Sequence, residues 1–235
     1  MEDMRMNIPY AQISSTLKEY LGLEGSPVAI NLARNREAIP AGMEEIAEQM
    51  RHCQMVNLAR RNGAIFYATV QKHQCMGGAW AMGLRDITES LKSGEFYYKL
   101  GKFSSWAACK RTIEKVPHLG TETFATLYAP LEKTPFSPHV VIIVAPPRAM
   151  LKLAQARLFR TGGRIFSTMA GIQSVCADAT AQTYLTGEPN FSLGCDGSRR
   201  FSGIADHEMV MGLPAELLPE IAEAMKVVVS APGSI

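Results

Sequence analysis

Residues 52–78, HCQMVNLARRNGAIFYATVQKHQCMGG, carry the pattern that decides the expected fold. A helical segment holds Cys53, a run of aromatic and β-branched residues follows it, and Cys75 comes next in a Cys-x-Gly sequence. Residues 175–198, VCADATAQTYLTGEPNFSLGCDGS, show the same order with Cys176 and Cys195. The two cysteines are 22 residues apart in the first segment and 19 in the second. The sequence therefore predicts an internal duplication with one cysteine pair in each half.

The surrounding elements predict an α+β fold, that is, a mixed α/β arrangement packed as one domain over residues 1–235. Two similar strand-helix-strand halves, about 10–118 and 121–235, would be related by a pseudo-two-fold axis. In the first half we expect helices over 10–21, 43–61 and 104–116 and strands over 27–32, 64–70 and 95–100. In the second half we expect strands over 139–144, 189–193 and 208–211 and helices over 148–159, 171–185 and 214–227. The duplication pairs Pro27 with Pro138, and the strand at Glu95 with the strand at Glu208.

Composition and charge argue against two classes of partner. The chain has 24 basic and 22 acidic residues, a formal net charge of +2, and no long run of Lys or Arg, so we do not expect it to bind nucleic acid. The longest apolar run, residues 140–147, is far shorter than the roughly 20 residues of a membrane-spanning helix. The N-terminal segment also lacks the apolar stretch of a signal peptide. We therefore expect a cytoplasmic protein that does not bind membranes.

The five cysteines are an odd number without secretory context, which favours free thiols or metal ligands over a disulfide framework. Four converging thiolates would suit an iron-sulfur cluster or a tetrahedral zinc ion. Cys109 has no counterpart in the second half and is left out of this set. The chain contains no Cys-x-x-Cys pair, so two other interpretations stay open: ordinary buried cysteines, or a single nucleophilic cysteine.

Other polar residues near the cysteines could take part in the site. His52 and His73 could supply a zinc ligand or a base, although a solitary histidine more often forms a structural hydrogen bond. Neither histidine has a counterpart in the second half, which favours an all-cysteine site. Arg199 and Arg200 follow the second Cys-x-Gly sequence and could contact an anion, or lie in solvent.

Six short motifs resemble those of the DUF169 family, which is common in methanogenic archaea and anaerobic bacteria. They are LGLEGSPVAI, RHCQMV, HQCMGG, GIQSVCADAT, SLGCDGSRRF and EMVMGLP. The resemblance spans nearly the whole chain, and the family is named for having no assigned function. It implies that four cysteines belong to the family pattern, whereas Cys109 does not. An anaerobic setting would also permit an oxygen-sensitive cluster.

The leading hypothesis is a metal protein with an iron-sulfur cluster, [4Fe-4S], between the two halves, in an electron-transfer or a Lewis-acid role. Its ligands form the four-cysteine site: Cys53, Cys75, Cys176 and Cys195. Gly77 and Gly197 would let backbone N–H groups approach the cluster, and Arg199 would offset its negative charge. The partner would be a redox protein or an anionic small molecule, and zinc is the alternative metal.

Two hypotheses from other classes stay open beside it, so the sequence alone does not decide whether the protein is an enzyme. In one, Cys195 is the nucleophile of an enzyme acting on an anionic small molecule, with Arg199 and Arg200 binding the substrate and a histidine as base. In the other, the protein is a non-catalytic binding module whose cysteines only fill the core.

Overall fold

The structure, a computed structural model, describes residues 9–230, and strands in this range form one six-stranded antiparallel sheet. The strands are β1 (Val28–Ala33), β2 (Phe66–Thr69), β3 (Ala125–Pro130), β4 (Val140–Ala145), β5 (Asn190–Ser192) and β6 (Met209–Pro214). Their order across the sheet is β2-β3-β1-β4-β6-β5. The central strand β4 reads VVIIVA, and its β-branched side chains favour extended backbone. The predicted mixed α/β class is confirmed.

Helices connect these strands, and ten of them in the described range are α-helices. They are α1 (Tyr10–Leu21), α2 (His52–Asn62), α3 (Met76–Ala81), α4 (Glu89–Lys92), α5 (Glu95–Lys99), α6 (Trp106–Ile113), α7 (Pro147–Leu158), α8 (Thr183–Thr186), α9 (Asp196–Ser202) and α10 (Leu218–Ser230). A π-helix spans Ser174–Gln182, and short 3-10 helices span Arg36–Ala38, Val70–Lys72, Leu131–Lys133 and Ala215–Leu217. Within residues 9–230, no helix combines the length and the apolar character that crossing a membrane requires.

Both faces of the sheet are covered. Because side chains alternate along a strand, Val141 and Ile143 of β4 enter one core with α1, α7 and α10, a side that we call the apolar face. Val140 and Ile142 enter the opposite core, which contains residues of α2, α3, α6 and the π-helix. This second side is the cysteine face, because its core includes Cys176 and packs against Cys53.

The π-helix lies directly against strand β6 at Gly212. A Cβ atom on residue 212 would overlap the carbonyl oxygen of Ala179 and the hydroxyl of Thr183. The close approach therefore requires glycine at this position, because every other residue would push the π-helix away from the sheet.

The strand order has a regular relation to the chain order. The first three strands of the chain form one half of the sheet, in the order β1, β3, β2 from the centre outward. The last three strands form the other half in the equivalent order, β4, β6, β5. A helix that carries a cysteine lies between the first and second strands of each set, and a second cysteine follows the second strand. A duplicated chain would produce this order, and the pseudo-two-fold axis stays a prediction.

One element of the predicted alignment was wrong. Residues Glu95–Lys99 form helix α5 and not a strand, so β3 and not this segment occupies the position that corresponds to β6. Gly94 precedes the helix in a left-handed conformation, and Glu95 pairs with Lys99 one helical turn later. Phe96 and Tyr98 are exposed, so the aromatic run does not mark a buried strand.

The structure differs from the predictions at two further places, a helix that begins later and a strand that was missed. The helix predicted over 43–61 begins only at His52, because the preceding segment runs beside β2 and forms bridges from Glu45 to Tyr67 and from Met50 to His73. Strand β3 was not predicted at all. All six of its residues are buried, so it lacks the alternation of apolar and polar residues that marks a half-exposed strand.

Candidate four-cysteine site

Cys53 lies in the first turn of α2, where it is half-buried against the core of the cysteine face. The helix begins after Arg51, whose backbone N–H donates to the side-chain oxygen of Gln54 at 3.0 Å. Burial, with a smaller contribution from the nearby thiols of Cys195 and Cys75, raises the pKa of the Cys53 thiol to about 12. Cys53 is therefore a protonated thiol at neutral pH unless a cation binds it.

Cys75 precedes helix α3, so the first Cys-x-Gly sequence opens a helix. The N–H of Gly78 donates to the Cys75 sulfur at 3.4 Å, so the backbone already supplies one donor to this thiol. A Cβ on residue 78 would lie 3.7 Å from the Sγ atoms of both Cys75 and Cys176. These two sulfurs are therefore separated by no more than twice that distance.

Cys176 is buried in the π-helix, which replaces part of the ordinary helix predicted over 171–185. π-Helical turns are rare and often mark functional sites. Burial raises the pKa of the Cys176 thiol well above its usual value, and the thiols of Cys75, Cys195 and Cys53 raise it further. Asp178 adds a smaller effect in the same direction.

Cys195 is half-buried and precedes α9, so it too lies at the start of a helix and not in an open turn. Its backbone N–H donates to the Ser198 hydroxyl at 2.9 Å. A Cβ on residue 197 would lie 3.8 Å from the Cys195 sulfur, so Gly197 adjoins the thiol.

The Arg199 guanidinium fixes the loop around Cys195. It donates to the carbonyl oxygens of Leu193 and Ala205, and to that of Glu208 at 2.7 Å. Three of its five N–H donors are therefore used by the backbone, and we expect its effect on a bound group to come mainly from its charge. Arg200 lies over the ring of Phe201, 5.2 Å from the centroid.

Cys53 and Cys176 thus each lie within electrostatic reach of the other three thiols, although the four cysteines come from separate segments of the chain. The fifth cysteine, Cys109, is fully buried on α6 and is not among the groups that raise the pKa of Cys53 or Cys176. It packs instead against Gly94, at the start of α5.

The two histidines belong to a buried chain of hydrogen bonds beside the site. His73 Nε2 lies 2.9 Å from the Thr126 hydroxyl, which donates to Tyr128 at 3.0 Å. His52 Nδ1 lies 2.8 Å from the Tyr128 hydroxyl, and its Nε2 lies 3.0 Å from the Thr180 hydroxyl. Burial lowers the pKa of both histidines to about 3, so both rings are neutral near pH 7. These contacts match the structural role that histidines more often have.

Two residues that the sequence analysis did not select also adjoin the thiols. Burial raises the pKa of Tyr97 above its usual range, and the thiols of Cys176, Cys75 and Cys195 add to the effect. The side-chain amide of Gln173 lies beside the Tyr97 hydroxyl but forms no hydrogen bond of normal geometry. Tyr97 lies in the segment wrongly predicted as a strand. Gln173 lies in the GIQSVCADAT motif, from which only Cys176 was selected.

A single metal ion and an iron-sulfur cluster require different spacings of the four sulfur atoms. Within residues 9–230, no group of three or more His, Cys, Asp and Glu side chains is arranged to hold one. A tetrahedral zinc ion needs sulfurs about 3.8 Å apart, as follows from a Zn–S distance of about 2.3 Å. A cubane cluster needs a wider spacing, because each cysteine binds a different iron atom.

Comparison with known proteins gave two matches. The sequence profile of DUF169, described as "Uncharacterised ArCR", matches residues 16–224. An uncharacterised protein of Methanocaldococcus jannaschii, MJ0308, is 44% identical over 211 residues, which cover 89% of this chain and 91% of that protein. No solved structure matches the chain.

Proposed function

The chain belongs to the DUF169 family, and we propose that this member binds a [4Fe-4S] cluster at the four-cysteine site and transfers electrons through it. The main support is the grouping of four thiols from separate segments, from which Cys109 is excluded. Neighbouring thiolates repel one another, so such a group is costly to ionise unless a cation offsets the charge. The positive iron core of a cluster would supply that offset.

Electron transfer fits the ligand count better than Lewis-acid chemistry does. Four cysteines occupy all four irons of a cubane cluster, whereas Lewis-acid chemistry needs one iron open to substrate. Cys53, Cys75 and Cys195 are half-buried, which would leave one side of the cluster near the surface. Two exposed apolar side chains, Met76 and Leu193, lie within two residues of Cys75 and Cys195 in the chain, and would suit contact with a redox partner.

Three further residues support the proposed site. Gly197 adjoins the Cys195 sulfur, and Gly77 belongs to the helical turn whose Gly78 N–H donates to Cys75. The guanidinium of Arg199 brings a positive charge to the loop that carries Cys195. We propose that this charge partly offsets the negative charge of the cluster and its ligands.

The experiment is anaerobic purification followed by reconstitution with iron and sulfide, because we propose an oxygen-sensitive cluster in an anaerobic cytoplasm. We expect about four irons and four sulfides per chain and an electron paramagnetic resonance signal after reduction. Cys53→Ser, Cys75→Ser, Cys176→Ser and Cys195→Ser should each abolish or alter the cluster. Cys109→Ala is the matched control and should retain it.

The alternatives give different outcomes in the same protein. One bound zinc and no iron would preserve the ligand set but change the role to a structural one. A chain that binds no metal, in which iodoacetamide modifies Cys195 much faster than the other cysteines, would favour the nucleophilic enzyme. Within residues 9–230, however, no histidine hydrogen-bonds to the Cys195 sulfur, and three of the five N–H donors of Arg199 already bind backbone carbonyls.

A further inference from the structure

Gln173 has an unusual backbone and an unusual side chain. It is the sole non-glycine residue in the described range with a positive φ, at 52°. Its side chain is buried, and within that range neither amide atom forms a hydrogen bond of normal geometry. Strained backbone and unpaired buried polar groups are both uncommon, and they concentrate at functional sites.

The position of Gln173 connects two of the cysteine segments. It immediately precedes the π-helix that carries Cys176, and its amide nitrogen packs against Gly77 in the helical turn that follows Cys75. A Cβ on residue 77 would overlap this nitrogen. Glycine at position 77 thus leaves room for the amide beside the two thiols.

Tyr97 approaches the same place from α5. Its neighbours Phe96 and Tyr98 are exposed, whereas Tyr97 packs against the core of the cysteine face. Its hydroxyl lies beside the Gln173 amide and within electrostatic reach of the thiols of Cys75, Cys176 and Cys195. A hydroxyl and an amide N–H, both donors, therefore adjoin the four-cysteine site.

We propose that the Gln173 amide and the Tyr97 hydroxyl donate hydrogen bonds to sulfur atoms of the bound cluster and raise its reduction potential. This inference rests on the proposed function. Reduction makes the cluster sulfurs more negative, so a hydrogen-bond donor stabilises the reduced state more than the oxidised state. The cluster would also give the unpaired amide of Gln173 the acceptor that it lacks among the described residues.

The test measures the midpoint potential of the reconstituted protein by anaerobic titration, in the wild-type chain and in two variants. Tyr97→Phe removes one hydroxyl, and Gln173→Gly removes the amide while fitting the left-handed backbone. We expect both variants to hold the same iron and sulfide as the wild type and to have a lower potential. Tyr98→Phe, on the same helix but exposed, is the matched control and should leave the potential unchanged.

A second readout is specific for the hydrogen bonds. In deuterated buffer, pulsed electron paramagnetic resonance of the reduced cluster should detect exchangeable deuterons that become fewer in each variant. If both variants bind a full cluster and keep the wild-type potential and the wild-type deuteron couplings, the inference is overturned and the proposed function is not. A wild-type chain that assembles no cluster would overturn the proposed function, and this inference with it.

Discussion

The two faces of the sheet differ in where they keep their polar groups. On the apolar face, α1, α7 and α10 pack through aliphatic and alanine side chains, and the polar contacts with α1 centre on Glu132. On the cysteine face, the core also contains His52, His73 and Asp178, together with the unpaired amide of Gln173. Apolar packing needs no partner, whereas each buried polar group needs one. We infer that the apolar face mainly stabilises the fold, and that the cysteine face gives up some stability for binding.

The largest effect should come from the buried ion pair on the cysteine face. Arg60 of α2 pairs with Glu208, and both side chains are almost fully buried. Glu208→Ala would leave the guanidinium charge without its carboxylate, and we expect a loss of about 3–5 kcal/mol in the free energy of unfolding, measured in urea. Glu122→Ala removes the exposed partner of Arg34 and should cost at most about 1 kcal/mol. Equal losses in the two variants would contradict the expected effect of burial.

A comparable loss without any effect on the cluster is expected on the apolar face. Leu153 of α7 is fully buried, so Leu153→Ala should lower the free energy of unfolding by about 2–5 kcal/mol through lost burial and a cavity. Leu151→Ala on the same helix removes an exposed side chain and should stay within about 0.5 kcal/mol of the wild type. The reconstituted iron content of both variants should equal that of the wild type. A loss of cluster in Leu153→Ala, under conditions where the chain is folded, would break the distinction between the faces.

His52→Phe should combine a smaller loss of stability with a change at the cluster. The substitution leaves the hydroxyls of Tyr128 and Thr180 without their shared partner, at a cost of about 1–3 kcal/mol. Because His52 immediately precedes Cys53 and links α2 to the π-helix, the resonance of the reduced cluster should also shift. His207→Phe alters an exposed histidine and serves as the control. An unchanged spectrum would mean that the hydrogen-bond chain supports only the fold.

The smallest effect concerns the pH dependence of the apolar face. Hydrogen bonds from Lys18, Ser26 and Ser14 outweigh the effect of burial and lower the pKa of Glu132 to about 2. Glu132 therefore binds fewer protons in the folded state than in the unfolded state between about pH 2 and about pH 4.3, the usual pKa of Glu. The contribution of Glu132 to the free energy of unfolding should be complete above about pH 4.3 and should be lost as the pH falls towards 2. Glu132→Gln should reduce this acid dependence in urea titrations, and an unchanged slope would contradict the assignment.

The sequence identified most of the sheet because several strands carry strong local signals. Strands β1 and β4 are runs of aliphatic residues next to prolines, and their patterns predict strands without tertiary information. The sequence did not identify β3, whose alanine, threonine and proline content carries no such pattern. It misassigned α5, because three consecutive aromatic residues favour a strand locally while a glycine and an ion pair favour a helix.

The cysteines of the candidate site were selected because the two halves resemble one another, and this comparison also left out Cys109. Gln173 could not be selected, since its features, a left-handed backbone and an unpaired amide, exist only in the folded chain. Tyr97 likewise becomes important only because α5 turns it towards thiols that are distant in sequence. Tertiary contacts of this kind leave no trace in local composition.

The contact between Gly212 and the π-helix has a consequence for the fidelity of folding. An antiparallel strand that slips by two residues keeps the same side chains on each face, so hydrophobic patterning alone does not reject the error. A slip of β6 by two residues would place Val210 or Pro214 where Gly212 lies, beneath the carbonyl of Ala179. The π-helix could not then dock, and Cys176 would stay away from the other three thiols. Because only a glycine fits at position 212, assembly of the four-cysteine site depends on the correct pairing of β6.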